Sequence, residues 1–263
     1  MKSRTPRRRH PVVAAALLLG ALLATGGLYA AVSSAGTADA AATVGSATAV
    51  ESGKQLFLEG CSSCHGLAAQ GTSSGPSLIG VGAAAVHFQM STGRMPLATS
   101  GVQAPVKPRQ YTEEEISQIA AYIASLAPGP ARPTFDDLDF AKADLALGGE
   151  LFRLNCSQCH QAMGQGGPLP NGAYAPSLMN ATPEQIYEAM LTGPENMPVF
   201  GDGTLTPDDK RDIIAYIEAL KTAPDVGGMG LGRLGPVNEG LFIWVAGLAA
   251  LIAAAVWIGV KSR

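Results

Sequence analysis

All four cysteines of the chain fall into two copies of one short pattern, Cys61-Ser62-Ser63-Cys64-His65 and Cys156-Ser157-Gln158-Cys159-His160, 95 residues apart. The copies bring a longer repeat into register. Gly53, Leu56 and Phe57 match Gly148, Leu151 and Phe152 at the same offset, and Gly75-Pro76-Ser77-Leu78 matches Ala175-Pro176-Ser177-Leu178 at an offset of 100. Further on, Met90-Ser91-Thr92-Gly93-Arg94-Met95-Pro96 pairs with the stretch from Met190 to Pro198, which carries two more residues. Last, YTEEEISQIAAYIASL from Tyr111 faces LTPDDKRDIIAYIEAL from Leu205. A whole domain is thus duplicated: the first copy is expected over 45–127 and the second over 141–223, joined by a Pro-rich linker over 128–140.

Each copy reads as helix, motif, long loop, helix, so the fold class is mainly α. The closing helices open on capping signals, Thr112 with Glu115 and Thr206 with Asp209 at the same spacing, the latter with Pro207 at the first helical position. Their apolar faces recur at helical spacing, Ile116, Ile119, Ile123 and Leu126 in one and Ile213, Ile217 and Leu220 in the other. The linker, PGPARPTFDDLDF, reads as an extended, semi-rigid spacer.

Two thiols three positions apart can form thioethers with the two vinyl groups on one edge of a haem, and the adjacent histidine can then turn its imidazole to the iron. The attachment residues would be Cys61, Cys64 and His65, then Cys156, Cys159 and His160, for two covalently bound haem c groups. A four-cysteine zinc site fits poorly, because 91 residues separate Cys64 from Cys156, against ~15–20 in a zinc ribbon. Thioredoxin-like pairs need a βαβ context that is missing, and structural disulfides do not explain a duplicated histidine.

The second axial ligand decides whether such an iron carries electrons or binds substrates. Met95 and Met197 each precede a proline, which biases them to extended backbone on a loop able to cross the haem face. Met90 and Met190 are rivals, but a methionine followed by x-Thr-Gly reads better as the last turn of a helix, packing on core or haem. His87 has no counterpart in the second copy, where Ile186 or Tyr187 falls, and reads as a surface or structural residue. Pro76 and Pro176, eleven and sixteen residues after their histidines, can each offer a carbonyl to a ligand ring. Gly53 and Gly148 would let the first helix of each copy approach the last, setting Phe57 near Tyr122 and Phe152 near Tyr216.

The ends are of another kind. Five of the first nine residues are Lys or Arg, and Pro11 to Val32 then runs 22 residues without a charge. Residues 1–40 therefore read as a signal peptide or a retained hydrophobic anchor, and the length of the run favours the anchor. At the other end, a Gly-rich tether over 224–240 leads to Leu241–Val260, 20 uncharged residues with a tryptophan toward each end, the pattern of a transmembrane helix. Gly230-x-Gly232-x-x-Gly235 in the tether matches a dinucleotide fingerprint by letter only, since no strand precedes it. If positive charge stays inside, both termini are cytoplasmic and the duplicated middle lies outside. That middle, residues 41–235, carries 11 basic and 19 acidic residues, or 11 − 19 = −8. Such an acidic body, without a Lys/Arg cluster, excludes nucleic acid as a partner and favours a basic or metal-bearing protein.

The quoted motifs, with Met95-Pro96 and Met197-Pro198, resemble two class I cytochrome c domains in tandem. With one or two transmembrane helices and the GMGLGRLGPVNEG tether, the whole chain is similar to the dihaem cytochrome c subunits of actinobacterial cytochrome bcc complexes, bc1-type quinol:cytochrome c reductases. The resemblance implies a cell-membrane relay taking electrons from the Rieske iron–sulfur subunit, beside a cytochrome b subunit, to the copper centre of a cytochrome c oxidase. It implies the reductase activity for the complex and no catalysis by this subunit alone. A dihaem subunit of another dehydrogenase shares the haem pattern without needing this tether, and a dihaem peroxidase or sensor would have one iron without methionine.

Overall fold

The structure is a computed structural model and describes residues 12–13, 15–27, 46–99, 101–224, 231–233 and 236–261. The basic N-terminus, the end of the first hydrophobic segment and residues 225–230 and 234–235 of the Gly-rich tether lie outside the described residues.

Segregation of apolar spacing into short helices produces a mainly helical chain. A helix α1 (Ala15–Gly27) lies in the N-terminal apolar run. The first repeat then supplies α2 (Ala47–Gly60), α3 (Ser62–His65), α4 (Gly82–Ser91) and α5 (Glu113–Leu126). The second supplies α6 (Leu145–Asn155), α7 (Ser157–His160), a two-stranded antiparallel ribbon β1 (Gly167–Pro168) and β2 (Tyr174–Ala175), α8 (Pro183–Thr192) and α9 (Pro207–Thr222). The chain ends in α10 (Pro236–Lys261).

In each repeat the first long helix crosses the last. A Cβ on Gly53 would lie 1.9 Å from the Gln118 carbonyl oxygen, and one on Gly148 would lie 2.0 Å from that of Asp212. Only glycine permits either crossing. Next to it, Phe57 meets Tyr122 with ring centroids 5.4 Å apart, and Phe152 meets Tyr216 at 5.6 Å, tilted contacts of the kind aromatic quadrupoles favour. The expected crossings and ring pairs are therefore present in both copies. Two cores result, one around Phe57, Ile116, Ile119 and Ile123, the other around Phe152, Ile186, Ile213 and Ile217. The expected caps of α5 and α9 are full capping boxes, in which Thr112 and Glu115, and Thr206 and Asp209, satisfy each other's backbone N–H groups.

The stretch 128–140, read from the sequence as an extended, semi-rigid spacer, is also packed against the first domain. Ala84 N–H donates to the Pro130 carbonyl at 3.1 Å, and a Cβ on Gly82 would lie 2.3 Å from that same oxygen. The chain leaving the first domain is therefore docked on the start of α4. It then tightens into two 3-10 turns, Asp136–Leu138 and Phe140–Lys142. The domains touch directly where α4 packs against α8.

The apolar run at the C-terminus forms α10, which starts five residues before Leu241 and is long and apolar enough to cross a membrane. Trp244 and Trp257 are exposed on it, and the Lys261 ammonium sits 5.3 Å from the Trp257 ring centroid.

Candidate functional site

Each Cys-x-x-Cys-His motif closes its preceding helix. The Cys61 N–H donates to the Phe57 carbonyl and that of Cys156 to Phe152, both at 2.8 Å, so the first thiol of each pair hangs on the last turn of α2 or α6. The one-turn helices α3 and α7 then carry the second cysteine and the histidine. All four thiols are unpaired. Burial, followed by the neighbouring Cys64, pushes the Cys61 thiol up to about 11; burial, followed by Cys159, pushes Cys156 up to about 12.

The histidines are oriented as expected. His65 Nδ1 lies 2.8 Å from the Pro76 carbonyl and His160 Nδ1 lies 2.9 Å from that of Pro176. A carbonyl can only accept, so the proton of each neutral ring sits on Nδ1 and Nε2 keeps its lone pair for a metal. Burial, opposed by the Pro176 contact, lowers the His160 pKa below its ordinary value and so favours that neutral ring.

The loop that brings each carbonyl back is built on left-handed residues. Gly71 N–H donates to the His65 carbonyl at 2.7 Å and Gly166 N–H to that of His160 at 2.9 Å, with φ of 88° and 78°. A Cβ at Gly71 would meet Ser77 N at 2.6 Å, and one at Gly166 would meet the Ala175 oxygen at 2.3 Å. The Pro76 strand passes so close to the motif that a Cβ on Gly75 would lie 2.9 Å from the Cys64 oxygen and 3.2 Å from His65 Cε1.

Met95 and Met197 lie on the loops after α4 and α8, partly buried against the first and second core respectively. Both loops turn on a left-handed glycine, Gly93 at φ 70° and Gly193 at φ 56°. Met90 and Met190, only 6% and 2% exposed, are inside the ends of α4 and α8 and belong to the cores. Paired thiols on one turn, an imidazole fixed through Nδ1 and a half-buried thioether on a loop form the donor set of a c-type haem, so the residues of both copies fit the group.

Three features escaped sequence reading. Of the two roles read for His87, surface or structural, the structure gives the second, with partners the sequence did not indicate: it is 3% exposed and its two ring nitrogens each lie 2.7 Å from a carboxylate oxygen, of Glu188 and of Glu113. Its lack of a counterpart in the repeat was the available signal. The second loop, five residues longer than the first, folds into the β1–β2 ribbon, signalled only by the Pro170-Asn171-Gly172 turn. That ribbon is gripped by the first domain: the Gln103 side chain donates to the Tyr174 carbonyl at 2.8 Å and accepts from its N–H at 2.9 Å. Beside it, Ala104 N–H donates to Glu195 at 2.7 Å.

A family model described as "Cytochrome c" matches residues 50–127, and one described as "Cytochrome C oxidase, cbb3-type, subunit III" matches residues 143–217. The "Cytochrome bc1 complex cytochrome c subunit" of Corynebacterium efficiens is 43% identical over 277 residues, covering 100% of this chain and 93% of that relative. The protein of the same description from Mycobacterium tuberculosis H37Rv is 46% identical over 266 residues, covering 98% and 95%. A shorter likeness, 32% over 91 residues and about a third of either chain, links it to the "Cbb3-type cytochrome c oxidase subunit FixP" of Sinorhizobium medicae.

Proposed function

The chain belongs to the family of cytochrome c subunits of the cytochrome bc1 complex, and on that premise we propose that it relays electrons from the Rieske iron–sulfur subunit to the copper centre of a terminal cytochrome c oxidase. It is a dihaem subunit with two covalently bound haem c groups, one per cytochrome c domain. Bound there, each haem supplies reversible one-electron exchange at its iron.

The protein's own part is attachment, ligation and placement. Cys61 and Cys64, and Cys156 and Cys159, would form the thioethers that hold the haems. His65 and His160, their Nδ1 atoms held by the Pro76 and Pro176 carbonyls, would ligate the two irons through Nε2, and Met95 and Met197 would supply the second protein ligands, which would leave the irons to electron exchange. The observation that carries the relay reading is the duplication itself: two donor sets of one kind, on domains that pack directly against each other through α4 and α8. In this reading α10 anchors the chain in the cell membrane, the N-terminal segment adds a second anchor, both termini are cytoplasmic and the haem domains lie outside. Tethering holds each partner at high local concentration, which suits relay inside a fixed assembly.

The test is gentle isolation from membranes followed by identification of the accompanying subunits and N-terminal sequencing. Rieske, cytochrome b and oxidase subunits are the expected companions, with the N-terminus intact. A quinoprotein dehydrogenase in their place would overturn the assignment of partners.

A further inference from the structure

The contact between the two domains centres on a buried cluster of charge. His87 on α4 faces Glu188 on α8 through Nδ1 and Glu113 on α5 through Nε2, each at 2.7 Å. Arg132, from the docked linker, reaches Glu184 on α8 at 2.7 Å, Glu113 at 3.3 Å and Glu188 at 3.7 Å. Arg109, in the loop ahead of α5, pairs with Glu113 at 3.1 Å. The ligand atoms of His87, Glu184 and Glu188 lie within 4.8 Å of one another, but the Arg132 guanidinium stands where a cation would sit, so the cluster reads as an ion-pair network and not as a metal site.

The geometry fixes a proton count. Both ring nitrogens approach carboxylate oxygens at hydrogen-bonding distance. Either the imidazolium donates twice, or the neutral ring donates to Glu113 and accepts from a protonated Glu188. Each arrangement places two protons on the three groups. Remove one, and one 2.7 Å contact becomes lone pair against lone pair in a site where His87 is 3% and Glu188 0% exposed. Glu188 Oε1 accepts no hydrogen bond and faces the Arg132 guanidinium at 3.7 Å.

We propose that His87 is a positioning residue, holding the second domain against the first through a proton shared with Glu188, and thereby setting the geometry across which an electron passes between the haems. The last clause rests on the relay reading; the proton-dependent contact stands without it.

The titration points the same way. Burial pushes His87 down, but the hydrogen bond to Glu188 and its charge outweigh this; Arg132 opposes and Glu113 adds, and the net pKa lies above the ordinary 6.5. Burial pushes Glu188 up to about 7, against the hydrogen bond and charge of His87, with Glu184 adding and Arg132 opposing. Groups whose pKa rises on docking bind protons more tightly in the docked state, so the contact weakens as pH rises: the Glu188 contribution fades from the ordinary carboxylate range up to about 7 and that of His87 above 6.5, which leaves the contact stronger at pH 6 than at pH 9.

The full-length holoprotein tests this by pulsed EPR distance measurement between its two ferric haems at pH 6 and pH 9. The wild type is expected to give a narrow distribution at pH 6 and a broad one at pH 9. Glu188→Gln, whose amide N–H donates to a neutral His87 at any pH, should lose the pH dependence and stay narrow. His87→Phe should be broad at both, with haem content unchanged. A wild-type distribution that stays narrow at pH 9 overturns the proposal, as does Glu188→Gln broadening there like the wild type, whether or not His87→Phe folds. Distances that respond as expected without electron exchange between the haems would support the contact and overturn the relay instead.

Discussion

The two haem domains are copies, and they differ where the cofactor makes no demand. Both keep the glycine that lets their helices cross, the aromatic pair beside it, the carbonyl that holds the histidine and the glycine-turned methionine loop. Yet at the bend just after the histidine the first domain has Gly66 at φ 81°, ψ 156°, whereas the second has Gln161 at φ 65°, ψ 168°. Three residues on, the roles reverse: Ala69 occupies a left-handed position at φ 58° and its counterpart is Gly164 at φ 71°. The backbone path is common to both domains while the residues that bear its strain are exchanged. The second domain also buries its histidine to 9% exposure and adds the β1–β2 ribbon, which the first domain grips. Invariant geometry thus marks what holds a haem, and divergent geometry marks what holds one domain to the other.

The largest expected effect separates the two attachments. Cys61→Ala with Cys64→Ala should reduce covalent haem from two to one per chain, and Cys156→Ala with Cys159→Ala should do the same for the other domain, as haem-specific absorbance per protein would show. If the domains are independent binders, each double variant retains the remaining haem in full. Next, Met95→Ala and Met197→Ala should each lower one of two potentials in a redox titration and open one iron to CO, while the wild type binds none. Wild-type CO binding would break the equivalence of the two sites.

Packing should show the same symmetry. Gly53→Ala and Gly148→Ala both drive a Cβ to about 2 Å from a backbone oxygen, so each should cost about 3 kcal/mol or more, with chemical denaturation reporting loss in the substituted domain. The smallest effect concerns the exchanged bend. Gln161 lies in a region of backbone space that is essentially restricted to glycine, at a cost of ~1–3 kcal/mol. Gln161→Gly should therefore stabilise the second domain by about 1 kcal/mol, and Gly66→Ala should destabilise the first by a similar amount.

Local spacing made much of this legible beforehand. The motifs, the caps, the crossing glycines, the ring pairs and the Pro76 and Pro176 carbonyls follow from residues that a repeat aligns and a short loop brings together. The contact between domains does not. His87 and Glu188 are 101 residues apart, each sits among apolar neighbours on a short helix, and no periodicity announces that α4 and α8 will meet. The docking of the linker was illegible for a related reason: its prolines read as extended, and extension is equally compatible with docking, which Gly82 and Ala84 decide from elsewhere in the chain. The ribbon of two-residue strands is too short for any alternation to register.

The length of α10 has a mechanical consequence. Its apolar portion, Leu241–Val260, spans about 30 Å at helical rise, matching the hydrocarbon thickness, which leaves Pro236–Gly240 as roughly 7 Å of continuous helix above it. This stub is a rigid post and not part of a slack leash. In the membrane-anchored reading proposed above, the chain therefore enters the bilayer as continuous hydrogen-bonded helix, and the point at which the tether joins it is raised out of the hydrocarbon.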